Sequence, residues 1–281
     1  MDQPISIGYS PCPNDTFIFY GLIHKKINTW GFQFNEVLED VETLNIMALN
    51  AKLDVTKVSC HAYGHLRDNY FFLRSGGAFG HGCGPIVVTK KACAAIEELK
   101  GKRIAIPGRL TTASLLLALY NPALDFKIIP MPFYQIMASV QDDKVDAGLV
   151  IHEGRFTYMN YGLTQIMDLG QWWESATGQL IPLGGILARR SLGNETIQAI
   201  ESLVTNSIRY SQAHPSEPLH YIKCHSQELD DSIIAQHIDL YVNKYSIDLG
   251  EKGKKGLVEL LTRAENAGII PLSSAPVFLD D

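Results

Sequence analysis

The chain has 281 residues, of which 46% are hydrophobic and 19% are charged, and its formal net charge is -6. This composition is typical of a globular protein with chain enough for one large core or two modest ones. The net negative charge argues against a nucleic-acid partner, because proteins that bind nucleic acids present a basic surface. No apolar run approaches the roughly 20 residues that span a bilayer, so we expect no membrane association.

Strand-like and helix-like stretches alternate along the first half of the chain. The pattern predicts a strand at 5–10, a helix at 15–25, a strand at 33–38, a helix at 41–50, a strand at 54–59 and, after a glycine-rich loop at 75–84, a strand at 85–89. A second series predicts a helix at 92–99, a strand at 103–106, a helix at 112–120, a strand at 126–129, a helix at 134–141 and a strand at 147–151. Amphipathic helices are predicted at 195–214, 231–243 and 253–268. Such alternation is typical of parallel α/β units.

Two apolar segments, 85–89 and 182–188, predict two crossings between lobes. Lobe one would then comprise residues 1–88 and 187–281, and lobe two residues 89–186. This is the layout of the type II periplasmic-binding-protein fold, an α/β fold with a ligand cleft between its lobes. Clefts between domains are common binding sites, and hinge strands allow closure around a ligand.

The segment 145–155 (VDAGLVIHEGR) carries the leading candidate for chemistry. Its apolar run has the composition of a buried strand and delivers His152 and Glu153 where the chain leaves the sheet. Ligands of open α/β sheets bind outside the carboxyl ends of the strands. Because a histidine exchanges protons near neutral pH, we interpret His152 as a proton-transfer residue.

Three other segments follow predicted strands and are candidates for the same site. Residues 10–16 form a turn stiffened by two prolines, in which Asn14 or Asp15 could cap the next helix. Lys57 and Ser59 alternate on one strand face, so both could reach a bound acid, while a solvated Lys57 is the alternative.

At 107–113, Gly108 could bring the backbone close to a ligand, and Thr111 is a plausible helix N-cap. The terminus formed by Thr111, Thr112 and Ala113 is either an anion site or a plain structural cap.

The remaining histidines and the cysteines carry weaker signals. His61 and His65 are four residues apart, but Ala62 stands where a zinc-protease motif has glutamate. His220, Cys224 and His225 have no further ligand set in the sequence, and we predict no metal site. The five cysteines lack paired spacing, and the N-terminus lacks an export signal, so we expect a cytoplasmic protein with reduced thiols. Cys12 is interpreted as a core or rim thiol, with a reactive thiol as the alternative.

Several motifs together resemble the 1,4-dihydroxy-6-naphthoate synthase family. They are 10–20 (SPCPNDTFIFY), 38–45 (LEDVETLN), 74–78 (RSGGA), 107–109 (PGR), 111–112 (TT), 151–153 (IHE), 155–158 (RFTY) and 183–190 (LGGILARR). The resemblance runs over nearly the whole chain, and the first motif is long enough to be highly specific.

The resemblance implies cleavage of cyclic dehypoxanthinylfutalosine to 1,4-dihydroxy-6-naphthoate and dihydroxyacetone, in the futalosine route to menaquinone. It implies that His152 is the proton acceptor of this lyase. It also implies substrate contacts at positions matching Lys57, Val58, Ser59, Thr112 and Ala113. The expected partner is this small aromatic carboxylate, and a homodimer is left open. Aromatisation drives the reaction, so no redox cofactor or metal is expected.

Three other functions are open at this point. A non-catalytic solute receptor shares the two-lobe fold, but receptors of that kind carry an export signal. A chorismate dehydratase of the same pathway is the second alternative, against which residues 10–16 and 151–153 argue. A ligand-sensing regulator is the third, although two lobes use all 281 residues and leave no DNA-reading domain.

Overall fold

A computed structural model describes residues 3–91, 93, 95–227 and 230–280. In chain order the strands are β1 (Ile5–Tyr9), β2 (Phe34–Leu38), β3 (Val55–Ser59), β4 (Tyr70–Phe72), β5 (Ala78–Gly80), β6 (Ile86–Thr89), β7 (Arg103–Ile106), β8 (Lys127–Pro130), β9 (Ala147–Val150), β10 (Thr164–Asp168) and β11 (Ile181–Arg189).

The α-helices are α1 (Pro13–Ile23), α2 (Val41–Leu49), α3 (Cys60–Tyr63), α4 (Thr112–Tyr120), α5 (Phe133–Gln141), α6 (Gly154–Thr157), α7 (Leu169–Thr177), α8 (Asn194–Ala213), α9 (Leu219–His225), α10 (Asp231–Tyr241), α11 (Lys244–Ile247) and α12 (Gly250–Asn266). Short 3-10 helices cover Ile96–Leu99, Pro122–Leu124, Tyr158–Tyr161 and Arg190–Leu192. No helix among the described residues is both long enough and apolar enough to cross a membrane.

The strands form two mixed sheets. The first has the order β2-β1-β3-β11-β4, with β5 also paired to β11, and the second has the order β10-β6-β9-β7-β8. In the first sheet β1 runs parallel to β2 and β3, whereas β11 is antiparallel to β3, β4 and β5. In the second sheet β7 runs parallel to β8 and β9, whereas β6 is antiparallel to β9 and β10. The chain therefore passes from the first sheet to the second after β5 and returns with β11.

Polar residues at the helix starts explain several of the boundaries. The side chains of Asp40, Thr111, Asp168 and Asp230 accept hydrogen bonds from backbone N–H groups at the starts of α2, α4, α7 and α10. Such caps satisfy donors that have no partner inside the helix. Thr111 is therefore the N-cap that the sequence predicted.

The C-terminal helices complete the core of the first sheet. α8 packs on α1, where Ser207 donates to the carbonyl of Ile18 at 2.6 Å and accepts from the N–H of Leu22 at 3.0 Å. Gly21 allows this approach, because a Cβ there would lie 3.1 Å from the Cα of Ser207. The C-terminal part of the chain is thus fixed to the helix that follows β1.

Most predicted elements agree with the structure to within about two residues, and two predictions were wrong. The glycine-rich segment 75–84, predicted as a loop, contains strand β5, which pairs with the distant strand β11. The helix predicted at 92–99 is a single 3-10 turn at Ile96–Leu99. Positions 92 and 94 of that prediction lie outside the described residues.

Candidate functional site

A cleft lies between the two sheets, lined by residues from both. It encloses about 670 Å3 of space between atoms, its solvent-open mouth included, and clefts of this kind are common sites for small molecules. β3 and the turn after β1 supply one wall, and the start of α4 and the turn after β9 supply the other. The residues predicted for the site all line it: Lys57, Val58, Ser59, Thr111, Thr112, Ala113 and His152.

His152 stands two residues past the end of β9, in a backbone conformation that few side chains adopt. Its φ is +55°, in the left-handed region, which costs a non-glycine residue about 1 kcal/mol or more. The ring lies 4.9 Å from that of Phe133 and stacks parallel to His237 at 6.1 Å, centroid to centroid. Its Nε2 is buried and has no hydrogen-bond partner in the described part of the chain. A strained, unpartnered imidazole in a cleft is typical of a functional residue.

Burial dominates the protonation of His152. The pKa of the imidazole is lowered to about 4, chiefly by loss of hydration; Asp15 and Asp40 oppose this shift, and Lys57 contributes to it. The imidazole is therefore neutral at pH 7 and has a lone pair with which to accept a proton.

Lys57 is neither solvated nor free. Its Nζ donates to Asp15 Oδ1 at 2.9 Å and to the carbonyl oxygen of Gly76 at 3.0 Å. The Asp15 carboxylate also accepts from the hydroxyl of Ser10 at 2.7 Å and from the amide of Asn14 at 2.8 Å. The solvated alternative for Lys57 was wrong, because Asp15 offers the cation a buried partner.

Ser59 is held through Asn45, which the sequence did not single out. The Ser59 N–H donates to Asn45 Oδ1 at 2.9 Å, and Asn45 Nδ2 lies 3.2 Å from both Ser59 Oγ and Glu42 Oε2. Glu42 in turn accepts from the backbone N–H of Leu110 at 3.0 Å. The chain of polar contacts thus runs from β3 through α2 to the loop before α4.

That contact changes the interpretation of Gly108. A Cβ at this position would lie 2.3 Å from Glu42 Cδ. Gly108 therefore makes room for the Glu42 carboxylate, and it is not among the described residues that line the cleft. The expectation that it approaches a ligand was wrong.

The threonine hydroxyls at the start of α4 already have hydrogen-bond partners within the protein. Thr111 Oγ1 donates to the carbonyl of Gly108 at 2.9 Å and accepts from the N–H of Ser114 at 3.3 Å. Thr112 Oγ1 donates to the carbonyl of Leu183 at 2.5 Å and accepts from the N–H of His61 at 3.3 Å. Both hydroxyls therefore have structural partners as well as access to the cleft.

The turn before α1 differs from its prediction. Cys12, not Asn14 or Asp15, occupies the N-cap position, and Pro13 begins the helix. Asp15 pairs with Lys57 instead of capping. Cys12 is 5% exposed, and burial raises the pKa of its thiol well above the ordinary value. A buried, protonated thiol is a poor nucleophile, so the structure favours the interpretation of Cys12 as a core thiol.

Sequence reasoning missed His237 and Tyr241, both from α10. His237 is fully buried, and its Nε2 lies 3.0 Å from Asn14 Oδ1. Tyr241 lines the cleft one helical turn further on. Their spacing of four residues in an amphipathic helix was the available signal, but it equally describes a helix face that packs on a core.

The other histidines and Cys224 lie outside the cleft lining, as do the aromatic residues of the motif at 155–158. His61 is buried with its Nδ1 3.2 Å from the Thr111 carbonyl oxygen, and Cys224 Sγ lies 3.7 Å from His220 Nε2 at the surface. Tyr158 packs on an apolar cluster of the second sheet. Neither Phe156 nor Tyr158 is among the described residues that line the cleft.

Known proteins resemble this chain over nearly its whole length. A family model described as menaquinone biosynthesis matches residues 5–266. A Thermus thermophilus protein named 1,4-dihydroxy-6-naphtoate synthase is 47% identical over 277 residues, covering 99% of this chain and all of the relative. A Streptomyces coelicolor protein of the same name is 44% identical over 271 residues, covering 95% of each chain.

Solved structures extend the comparison to the fold. A protein from Archaeoglobus fulgidus superposes with a TM-score of 0.89 at 40% identity, over 95% of this chain and 98% of its own. The periplasmic aliphatic sulphonate-binding protein of Escherichia coli superposes with a TM-score of 0.66 at 13% identity, over 97% and 90% of the two chains. The periplasmic-binding-protein-like α/β fold predicted from the sequence is therefore confirmed.

Proposed function

Because this chain belongs to the menaquinone-biosynthesis family and is an enzyme, we propose that it converts cyclic dehypoxanthinylfutalosine into 1,4-dihydroxy-6-naphthoate and dihydroxyacetone. The family resemblance carried by the motifs is correct, and the role in menaquinone biosynthesis follows from it. The substrate, the products and the lyase chemistry are our proposal. The observation that carries it is the neutral imidazole of His152, buried at Nε2 and facing a cleft lined by residues 57–59 and 111–113.

The substrate is an aromatic carboxylate that bears a sugar-derived ring. We assign its carboxylate to the start of α4, where Thr111, Thr112 and Ala113 line the cleft. Backbone N–H groups and the helix dipole favour an anion there. Ser59 stands on the opposite wall as a second polar contact. The Lys57 cation, fixed by Asp15, adds positive potential without leaving its partner.

His152 then removes a proton from the sugar-derived portion. The electron pair released drives elimination of the three-carbon fragment, which takes up a proton and leaves as dihydroxyacetone, and the new ring becomes aromatic. A positioned base of this kind contributes about 10²- to 10⁴-fold. The low pKa of His152 in the free protein keeps the imidazole unprotonated, and the apolar contact with Phe133 holds the ring in place.

We propose that residues 1–88 with 187–281 and residues 89–186 form two lobes that close on the substrate. Cleft-lining residues from both sheets support a division into two lobes, as do the two passages of the chain between the sheets, which fall before β6 (Ile86–Thr89) and before β11 (Ile181–Arg189). Closure would exclude water from the proton transfer. A cytoplasmic location stays a prediction, supported by cysteines that are free throughout the described residues.

Incubation of the purified full chain with cyclic dehypoxanthinylfutalosine tests the proposal. We expect the chain to form the naphthoate and dihydroxyacetone in equal amounts without an added cofactor. Absorbance and mass spectrometry measure their formation. Tight binding without product would point to a receptor, and product from chorismate instead would point to the dehydratase. Either result would overturn the assignment.

A further inference from the structure

A second set of side chains meets behind the cleft wall, at the His152 ring. The Sγ of Cys12, a ring nitrogen of His152 and a carboxylate oxygen of Glu153 all lie within 4.8 Å of one another. Cys12 is 5% and Glu153 9% exposed. Cys12 and Glu153 are not among the described residues that line the cleft. The proton transfer proposed above uses the imidazole of this group and neither of the other two side chains.

A neighbouring histidine provides an independent sign that this cluster is built for a ligand. His237 is fully buried, and its Nδ1 has no hydrogen-bond partner among the described residues. That nitrogen lies 3.8 Å from Glu153 Oε2. Its ring stacks parallel to the ring of His152, so the two imidazoles lie side by side in the protein interior. Buried nitrogens without partners are rare and call for an explanation.

We propose that Cys12, His152 and Glu153 form a binding site for a thiophilic divalent cation of the Zn²⁺ type, bordered by His237, whose Nδ1 lies 3.8 Å from Glu153 Oε2. Thiolate, imidazole and carboxylate are the ligands that zinc takes in proteins. The Cys12 thiol, protonated in the metal-free chain, would release its proton to solvent as the ion binds. One thiolate and one carboxylate neutralise the two charges of the ion, which suits a buried site. Hard cations such as Mg²⁺ prefer oxygen ligands and are excluded by the sulfur and the imidazole.

The geometry needs only a modest contraction. Bond lengths of about 2.0–2.3 Å place tetrahedral zinc ligands roughly 3.5 Å apart, and the three atoms here are at most 4.8 Å apart. His152 and Glu153 are adjacent in sequence and follow β9, whereas Cys12 precedes α1. The ion would therefore join the turn after β9 to the turn after β1 and hold the two sheets together.

The consequence for activity depends on the proposed function. A metal bound to His152 occupies the lone pair that the reaction needs, so the ion inhibits. Metal binding itself does not depend on that role and is measured without turnover. The two ideas can therefore fail separately.

Titration of the metal-free full chain with Co²⁺ tests the site. Cobalt bound to a thiolate gives a near-ultraviolet charge-transfer band, and tetrahedral cobalt gives strong visible bands. We expect both from the unmodified chain, displaced by one equivalent of Zn²⁺ and unaffected by excess Mg²⁺. Cys12→Ser should abolish the charge-transfer band. Cys224→Ser is the matched control, because Cys224 is an exposed thiol beside a histidine, and it should leave the band intact.

Absence of the band in the unmodified chain, or its loss in Cys224→Ser with retention in Cys12→Ser, would overturn the site. Should Cys12→Ser fail to fold, Glu153→Gln takes its place, with Co²⁺ affinity expected to fall more than about tenfold. Unchanged affinity in that variant would count equally against the proposal. In the turnover assay, Zn²⁺ should inhibit the unmodified enzyme reversibly, with activity restored by EDTA. A Cys12-dependent cobalt band without zinc inhibition would keep the site and contradict the base role of His152.

Discussion

Lys57 and Asp15 form an ion pair of 2.9 Å inside the cleft wall, with 6% and 3% of their side chains exposed. The pair joins the middle of the first sheet to the helix that follows β1. The Lys57 ammonium also donates to the carbonyl oxygen of Gly76, so its hydrogen bonds replace most of its hydration. The pair therefore fixes the Lys57 ammonium in the wall of the cleft.

Removal of one partner from this pair should be costly. Asp15→Asn leaves a buried ammonium without its counter-charge, and we expect the free energy of unfolding to fall by about 3–5 kcal/mol. Asp143→Asn is the matched control, because the Lys90–Asp143 pair is 43% and 60% exposed and should contribute under about 1 kcal/mol. Urea unfolding measures both. Equal, small losses would show that the buried pair adds little.

Substitution of His152 separates chemistry from folding. We expect His152→Ala to lower kcat by about 10²- to 10⁴-fold, with little change in KM, because only the proton acceptor is lost. His152→Asn is a useful companion, since asparagine tolerates the left-handed backbone at this position. Both variants should be equally slow, and the asparagine variant should be the more stable in thermal unfolding. Near-normal turnover in either one would exclude His152 as the base.

The sequence predicted the parts of this site that depend on local secondary structure. A strand that ends at His152, a cap at Thr111 and the alternation of Lys57 and Ser59 follow from patterns of a few residues. Because the carboxyl ends of parallel strands share an edge, the segments after β7 and β9 could be expected to meet. Lys57 and Ser59 belong to the other sheet, and their approach depends on how the two sheets pack.

Contacts between distant segments were beyond the sequence. His237 reaches Asn14 across 223 positions, and its helix shows only an amphipathic face, which predicts burial and not a partner. Asp15 was expected to cap a helix because acidic residues favour that position; its pairing with Lys57 became visible only in three dimensions. Strand β5 gains its neighbouring strand from β11, which is distant in the sequence.

The Thr112 hydroxyl should affect substrate affinity as well as structure. Thr112→Val removes the hydroxyl that donates to the Leu183 carbonyl and accepts from the His61 N–H. We expect KM to rise about tenfold and stability to fall by about 1–3 kcal/mol, since a buried carbonyl loses its donor. Thr112→Ser keeps the hydroxyl and should restore most of both. Affinity that is equal in the valine and serine variants would remove the hydroxyl from the substrate contacts.

His61 should make the fold less stable as the pH falls. Burial lowers the pKa of its imidazole to about 4, although the Thr111 carbonyl raises it and His65 lowers it. In the unfolded chain a histidine titrates near 6.5, so between about pH 6.5 and 4 the unfolded state binds the extra proton. Stability therefore declines as pH falls through this window, by up to about 1.4 kcal/mol per pH unit from this residue.

His61→Asn keeps a side-chain donor for the Thr111 carbonyl and removes the titration. We expect urea midpoints between pH 7 and 4.5 to show a shallower decline in this variant than in the unmodified chain. The buried His152 and His237, whose pKa values burial also lowers, should supply the slope that is left. His214→Asn is the control, because that ring makes a 3.0 Å contact with the Tyr210 carbonyl at the exposed end of α8. A decline in His61→Asn as steep as in the unmodified chain would show that His61 takes up its proton equally in the folded and unfolded states.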